Sequence, residues 1–209
     1  MADGAGRVVI RAHAADHTAL LPGLAPADLR RAESLTGERA AAFLAGRAAL
    51  LAALEPLAPG ARIEAVCAEC GLAHGQPRVE GAPGMHLSLA HAAGLAFAIA
   101  ATRAVGVDAE PLDTDRGQIA GAASLSLGRG DPLTRWTAIE AVLKADGRGL
   151  RVDPAEVRIG RRTASLHDVR YRLSSQRLRG CRVTVAIAER EPTTARPPAL
   201  QPTSGGSRV

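Results

Sequence analysis

The order of the elements expected along this 209-residue chain limits its fold more than any other feature. A long helical segment followed by several short strand-like segments occurs twice, once on each side of residue 102. The first helix, residues 38–57, is rich in Ala and Leu and is stopped by Pro56, Pro59 and Gly60. The second is predicted at residues 133–145. We therefore expect an α+β fold with two similar α/β halves forming a pseudo-dimer in one chain, each with a long helix packed on a small, mainly antiparallel sheet.

The remaining segments divide the chain into three parts. Strands are predicted at residues 8–12, 62–67, 85–90, 95–101, 105–110, 157–159, 165–171 and 181–188. A further helix is predicted at residues 28–33, and a weak one at 118–127. We expect an N-terminal half at residues 1–101 and a C-terminal half at residues 102–190. Pro, Thr, Ser and Gly dominate from residue 191 onward, which predicts a disordered tail at residues 191–209.

The composition is that of a globular protein. Apolar residues make up 46% of the chain, and the mean hydropathy is +0.02. No apolar run reaches the roughly 20 residues that a bilayer span needs, and the first residues carry no signal-peptide pattern. Three cysteines, a small and odd number, argue against a disulfide framework. These features predict a cytoplasmic protein with no membrane partner.

The charge points to acidic partners. The net charge is +5, which suits phosphorylated small molecules, an acidic protein or nucleic acid. Nucleic acid is the weakest of these, because one Trp, one Tyr and two Phe provide no platform for base stacking. Of the 26 basic residues, 25 are arginine, and Lys144 is the only lysine. The only tryptophan, Trp136, lies eight residues before it.

Two carboxylates stand at alternate positions of the strand predicted at residues 105–110. Side chains alternate along a strand, so Asp108 and Glu110 project from one face. Two convergent carboxylates repel each other unless a cation lies between them. Oxygen donors with no neighbouring His or Cys favour Mg²⁺, which readily shares substrate phosphates. The alternative is a strand end that enters an acidic, solvated loop through Asp113 and Asp115.

A second group lies on the helix predicted at residues 133–145. Trp136, Glu140 and Lys144 are spaced by four and share one helix face. A Glu–Lys pair with this spacing is commonly a surface ion pair worth about 0.3–0.5 kcal/mol. A lysine used once among so many arginines instead suggests a compact point charge for a phosphate oxygen.

Histidine and cysteine residues in the first half leave further alternatives open. His91 follows a predicted buried strand, where it is either a functional group or the cap of a turn. Cys67, Cys70 and His74 are three potential zinc ligands, whereas a structural zinc site requires four. A plain turn is therefore the preferred interpretation of that segment.

Two segments resemble a known family. Gly106-Val-Asp-Ala-Glu110 and Trp136-x-x-x-Glu140-Ala-x-x-Lys144-x-x-Gly147-x-Gly149-Leu150 are similar, in order and spacing, to the two signatures of the 4′-phosphopantetheinyl transferases of the surfactin-synthetase-activating type. Supporting similarity extends over most of residues 28–190. It includes Phe43-Leu-Ala-Gly46-Arg47, Cys67-x-x-Cys70-Gly-x-x-His74-Gly-x-Pro77 and Ser88-x-x-His91.

The resemblance implies an activity. These enzymes transfer the phosphopantetheine arm of coenzyme A to a serine of an apo acyl or peptidyl carrier protein and release 3′,5′-ADP. The metal would be Mg²⁺, with Mn²⁺ as a possible substitute. A monomer is expected, because the two halves would form the site between them.

The resemblance also implies residue roles. Asp108, Glu110 and Glu140 would bind the metal with the diphosphate of coenzyme A. Glu140 would accept the serine proton, and Lys144 would neutralise the diphosphate. The coenzyme A site would further contain His91 with Arg47 or Arg39 at the 3′-phosphate, and Gly75, Gln76 and Pro77 beside the adenine.

Several positions depart from the family pattern. Gln76 and Ile139 stand where the family often has lysine, Leu51 where it often has arginine, and Ala90 where it often has serine. Each change removes a contact to coenzyme A, and none affects the metal ligands or the base. Two other functions therefore remain open: a coenzyme A-binding protein without catalysis, and a zinc-stabilised module that binds nucleic acid.

Overall fold

The chain folds into two antiparallel sheets, each covered by a long helix. The computed structural model describes residues 7–67, 75–115, 131–148 and 151–190. Within these residues the fold is α+β, with three α-helices and two five-stranded sheets, which confirms the predicted class. The elements are β1 (Val9–Ala12), α1 (Pro26–Glu33), α2 (Gly37–Leu54), β2 (Ile63–Glu64), β3 (Arg78–Val79), β4 (His86–Ala92), β5 (Leu95–Ala101), β6 (Val105–Pro111), α3 (Pro132–Asp146), β7 (Arg158–Ile159), β8 (Thr163–Leu166), β9 (Val169–Leu178) and β10 (Cys181–Ala188).

Each sheet has its own helix and its own core. The first sheet has the strand order β1-β5-β4-β3-β2, and α2 packs on it through a cluster that includes Leu50 and Leu54. The second has the order β6-β10-β9-β8-β7, and α3 packs on it through a cluster that includes Ile139 and Val142. The chain passes from the first sheet to the second between β5 and β6.

A third core joins the two sheets. Phe97 and Ile99 of β5 pack with Val107 of β6 and Val183 of β10, and all four side chains are buried. The backbone N–H of Val107 lies on the outer edge of β6 and donates to Ser88 Oγ of β4 at 2.9 Å. A buried edge N–H requires such a partner, so this bond fixes β4 beside β6.

The β4–β5 hairpin was anticipated as two adjacent strands. Its two connecting residues, Ala93 and Gly94, have φ values of 49° and 69°. Both central residues of a tight two-residue hairpin turn require positive φ, which glycine adopts without strain. The observed turn therefore matches the predicted break between the two apolar runs.

The helix predicted at residues 38–57 ends three residues early, at Leu54. Pro56 has no amide hydrogen to continue the helical ladder. The chain turns instead, with Leu57 N–H donating to the carbonyl of Leu54 at 2.9 Å.

Two strand predictions were also wrong. The segment 165–171 is not one strand, because a hairpin turn at His167, whose φ is 50°, separates β8 from β9. The segment 62–67 forms pairs only at Ile63 and Glu64. By contrast, the strand at 181–188 was predicted with its observed ends.

Some predictions lie outside the described residues, namely the helix at 118–127 and the tail at 191–209. Of the helices that the structure does describe, none combines the length and the apolar character needed to cross a membrane.

Candidate active site

The close approach of α3 to β6 creates the site. A Cβ atom on Gly106 would lie 1.8 Å from the carbonyl oxygen of Ala141, so only glycine allows the helix backbone to contact the strand here. Asp108 and Glu110 follow at alternate positions on β6. The contact places both carboxylates beside the helix that carries Glu140 and Lys144.

Asp108 is the most buried acidic group of the site. Its side chain faces the helix, and its Oδ1 accepts a hydrogen bond from Lys144 Nζ at 2.7 Å. Its Oδ2 is buried and has no hydrogen-bond partner among the described residues. Burial raises the pKa of Asp108, while the charge of Lys144 opposes that rise. A buried carboxylate with one unpartnered oxygen is costly unless a ligand supplies the missing contact.

Glu110 and Glu140 are held near Asp108. Trp136 Nε1 donates to Glu110 Oε1 at 3.3 Å, which ties the exposed end of β6 to the first turns of α3. Burial first, and then the negative charge of Asp108, raise the pKa of both glutamates. Glu110 raises the pKa of Glu140 further. The three carboxylates therefore form one electrostatically coupled group.

The chemistry of this group suits a hard divalent cation. All its donors are carboxylate oxygens, and the unpartnered Oδ2 of Asp108 is already dehydrated. As placed, however, no three acidic, histidine or cysteine side chains in the described part of the chain could hold a metal ion by themselves. The Lys144 ammonium takes the position on Asp108 that would be nearest to a cation.

A cleft of about 390 Å³ connects this group to the first sheet. Glu140, Lys144 and Gly147 line one side, from α3 and its C-terminal cap. Gly75, Gln76 and Pro77 line it together with residues of β4, so the predicted adenine-side turn faces the predicted catalytic side chains across one space. A second cleft of about 500 Å³ adjoins it and shares Gln76, Pro77, Leu87 and Gly147.

Two glycines allow the walls of the cleft to approach each other. A Cβ on Gly75 would lie 2.5 Å from the carbonyl oxygen of Val66, so the turn is pressed against the preceding backbone. Gly147 caps α3 in the left-handed conformation, with φ of 80°. A Cβ on Gly147 would lie 3.3 Å from Gln76 Oε1. Gln76, which stands where the resembling family often has lysine, therefore packs against the end of α3.

The arginines of α2 are placed differently from each other. Arg47 is buried, and its Nε and Nη2 donate to the two carboxylate oxygens of Asp28 at 2.6 and 2.8 Å. Its guanidinium also lies 4.6 Å from the centre of the Phe43 ring. Arg39 is exposed and lies about 12 Å further back along the helix, given its rise of about 1.5 Å per residue. The structure does not bring Arg39 to the cleft.

His91, at the end of β4, lies close to Lys144 and Arg47. Burial first, and then the positive charges of its neighbours, lower the pKa of His91 to about 4. Part of the side chain remains exposed to solvent, which moderates the effect of burial, but the imidazole is neutral at pH 7 in either case. His91 Nδ1 contacts His13 Nε2 at 3.0 Å.

Sequence reasoning missed three groups around the site. His13 and Asp28 each lie more than 18 residues before their partners, so no local pattern connects them. Thr137 and Thr184 join α3 to β10 through a buried hydroxyl pair at 2.7 Å. Thr184 is directly opposite Asp108 in the register of β10 and β6, which no local sequence pattern indicates.

The suggested zinc ligands are only partly within the described residues. Cys67 is half-buried, whereas Cys70 and His74 lie outside the described ranges. Cys181 is a buried free thiol in the core between the sheets.

Comparison with known proteins adds no assignment. The chain matches no protein-family model, and no curated protein is detectably similar to it.

Proposed function

We propose that this protein transfers the 4′-phosphopantetheine arm of coenzyme A to a serine of an apo acyl or peptidyl carrier protein, with Mg²⁺ as its metal. The observation that carries the proposal is the cleft in which Gly75, Gln76 and Pro77 face Glu140 and Lys144. Asp108 joins this cleft through its ion pair with Lys144. A turn suited to a nucleotide therefore borders an acidic group suited to a metal–diphosphate.

The metal ligands would be Asp108, Glu110 and Glu140. They supply only oxygen donors, and Mg²⁺ commonly combines one or two carboxylates with substrate phosphates. When bound, the metal supplies charge neutralisation on the diphosphate. Mn²⁺ has the same preference for oxygen and is the expected substitute.

Glu140 is the proposed base. The serine oxygen of the carrier protein forms a bond to the β-phosphorus of coenzyme A, and the bond from that phosphorus to the departing 3′,5′-ADP breaks. The serine proton passes to Glu140, directly or through one water. Burial and the neighbouring carboxylates raise the pKa of Glu140 in the metal-free protein. A bound metal would lower it, so Glu140 would act as a base only with the serine proton within direct or one-water reach.

Lys144 is the proposed partner of the diphosphate. Its ammonium is the only lysine charge in the chain and is about two-thirds buried. In the free protein it neutralises Asp108. We propose that it releases Asp108 to the metal and contacts the diphosphate when coenzyme A binds, so that charge balance is kept in both states.

The other coenzyme A contacts follow from the same arrangement. Gln76 and its neighbours Gly75 and Pro77 would border the adenine, and His91 would hold the 3′-phosphate. Arg47 would contribute positive charge while paired with Asp28. Arg39 would contribute only if coenzyme A extended beyond the cleft along α2.

We also propose the finer architecture and setting. Residues 1–101 and 102–190 would be two similar halves of a pseudo-dimer, since each sheet carries one long helix. The protein would act as a cytoplasmic monomer with no nucleic-acid or membrane partner. Its basic character, with a net charge of +5, suits an acidic carrier protein.

The decisive experiment incubates the protein with coenzyme A, Mg²⁺ and apo carrier proteins of fatty-acid, polyketide and peptide synthetases. A carrier mass increase equal to phosphopantetheine, absent with EDTA, is expected for at least one carrier. Binding of coenzyme A without any mass increase would support a coenzyme A-binding protein instead. Stoichiometric zinc with salt-sensitive DNA binding would support the nucleic-acid module.

A further inference from the structure

Two histidines from distant parts of the chain meet near the cationic side chains of Arg47 and Lys144. His13 follows β1, and His91 lies near the end of β4. The Nε2 atom of His13 and the Nδ1 atom of His91 are 3.0 Å apart, and the ring centres are 5.1 Å apart. The backbone holds this contact, because His13 N–H donates to the carbonyl of Gly94 in the β4–β5 turn at 2.8 Å.

Positive charge surrounds the pair. The positive charges of Arg47 of α2 and Lys144 of α3 both lower the pKa of His91. Each has an acidic partner on its far side, Asp28 of α1 for Arg47 and Asp108 of β6 for Lys144. Beyond His13, the same turn carries Asp16 and His17, and Asp16 accepts hydrogen bonds from Thr18. The pair thus lies beside two cations, each of which is paired with a carboxylate on its other side.

The contact between the two rings restricts their protonation. Two N–H groups cannot point at each other across 3.0 Å, so at least one of the two facing nitrogens carries no hydrogen. A phosphate oxygen accepts hydrogen bonds only. If a phosphate replaced the ring-to-ring contact, both facing nitrogens would have to be donors.

Binding of a phosphate dianion would favour the charged form of a neighbouring imidazole. His91 is neutral at pH 7 in the free protein, because burial and the positive neighbours lower its pKa. A dianion offsets those positive charges. The pKa of His91 therefore rises on binding, and protons are taken up between the free and the bound values.

We propose that His13 is a second ligand of the coenzyme A 3′-phosphate beside His91, and that His91 takes up a proton when this phosphate binds. The inference rests on the proposed function, since it assigns the 3′-phosphate to this pair. It adds His13, which directly follows β1, to the proposed coenzyme A site. It also makes affinity for the 3′-phosphate increase as the pH falls from about 8 towards 6.5, above the second phosphate pKa of about 6.

The test compares two nucleotides by isothermal titration calorimetry. The first is 3′,5′-ADP, and the second is its isomer ADP, which carries both phosphates on the 5′ oxygen as a diphosphate and therefore lacks the 3′-phosphate. Titrations at pH 7.5 in buffers of different ionisation enthalpy count the protons exchanged. Wild-type protein is expected to take up roughly half a proton or more with 3′,5′-ADP beyond its uptake with ADP.

Variants at position 13 isolate the new ligand. His13→Ala is expected to weaken 3′,5′-ADP binding about tenfold and to leave ADP binding unchanged, which also shows that the variant is folded. His13→Gln, which keeps an N–H donor at a similar reach, is expected to recover most of the lost affinity. His17→Ala is the matched control, because its Nε2 contacts the carbonyl of Ala12 rather than His91.

Two results would overturn the inference: a His13→Ala protein that still prefers 3′,5′-ADP over ADP as the wild type does, or wild-type binding without additional proton uptake. The carrier assay separates this failure from failure of the proposed function. If the protein modifies the carrier but His13→Ala does not change 3′,5′-ADP binding, only the role proposed here for His13 is refuted. Histidine-dependent recognition of 3′,5′-ADP without transfer would sustain it and refute the transferase.

Discussion

Lys144 Nζ lies 2.7 Å from Asp108 Oδ1, and this contact joins α3 to β6. It links the only lysine of the chain to the most buried carboxylate of the site. The other oxygen of Asp108 has no partner among the described residues. One positive charge therefore lies beside three carboxylates that repel one another. A divalent cation bound among them would reduce this repulsion. The predictions for Glu140, Lys144 and metal binding follow from this shortage of positive charge.

Glu140→Gln is expected to reduce carrier modification at least about 100-fold, since a positioned general base typically contributes about 10²–10⁴ in rate. The substitution keeps the shape of the side chain but removes both a metal ligand and a proton acceptor. The measurement is the initial rate of carrier mass increase at saturating coenzyme A. Activity equal to that of the wild type would refute the role assigned to Glu140.

The same substitution is expected to stabilise the metal-free protein at pH 7.5. Burial and Asp108 raise the pKa of Glu140 above 4.5, so the folded state binds more protons than the unfolded chain between pH 4.5 and the raised value. The carboxylate therefore costs stability as the pH rises through that window, and the cost is complete above it. In EDTA, the Tm of Glu140→Gln should exceed that of the wild type at pH 7.5 and equal it near pH 4.

A matched control for this measurement is Glu80→Gln, because Glu80 is an exposed glutamate beyond β3 and outside the carboxylate group. Its Tm should follow that of the wild type across the pH range. If Glu140→Gln instead melts below the wild type at pH 7.5, Glu140 is not destabilising and the carboxylates are not as closely coupled as described.

Lys144→Arg is expected to lower kcat about tenfold or more despite keeping the charge. The ammonium approaches Asp108 as a point charge from a largely buried stem, and a planar guanidinium cannot take the same position. The reciprocal control is Arg148→Lys, which changes an ion pair with Asp146 at the end of α3. Arg148→Lys should keep the wild-type kcat. If both variants lost the same share of kcat, the loss would come from disturbing the C-terminal end of α3 and not from the position of the Lys144 charge.

Metal binding should depend on coenzyme A. Since Lys144 neutralises Asp108 in the free protein, Mn²⁺ measured by electron paramagnetic resonance should bind at least about tenfold more tightly when coenzyme A is present, after correction for binding to coenzyme A alone. Asp108→Asn should remove this difference. Identical Mn²⁺ affinity with and without coenzyme A would contradict the proposed exchange of partners by Lys144.

Gly106→Ala should destabilise the protein by about 3 kcal/mol or more, because a Cβ would lie 1.8 Å from the Ala141 carbonyl oxygen and overpacking commonly costs about 1–3 kcal/mol. Gly84→Ala is the control, since a Cβ there meets nothing within 4 Å. Urea unfolding of both variants gives the comparison. A Gly106→Ala variant as stable as Gly84→Ala would mean that α3 and β6 are further apart than described.

The sequence predicted the elements that carry strong local signals. β10 has apolar residues at most positions, and its ends were predicted as observed. The helix at residues 133–145 was correct within one residue at each end, because Asp131 caps it and Gly147 terminates it. The pairing of Asp108 with Glu110 on one face followed from strand alternation.

Other features required tertiary information. The polar segment at the end of β9, including Gln176 and Arg177, has no apolar alternation and forms a strand because β10 pairs with it. The contact of His13 with His91 depends on β1 lying antiparallel to β5, which no local pattern reveals. Likewise, Arg47 was expected at a phosphate, whereas its pairing with Asp28 depends on how α1 packs on α2.

The hydrogen bond from Val107 N–H to Ser88 Oγ spans the seam where the two sheets meet. Ser88 also lines the cleft, so one hydroxyl both joins the two sheets and borders the proposed site. The separation of Gln76 from Glu140 across the cleft therefore depends on how the two sheets are aligned. If the proposed function is correct, substitutions that tilt one sheet against the other would slow transfer even when every proposed catalytic side chain is kept.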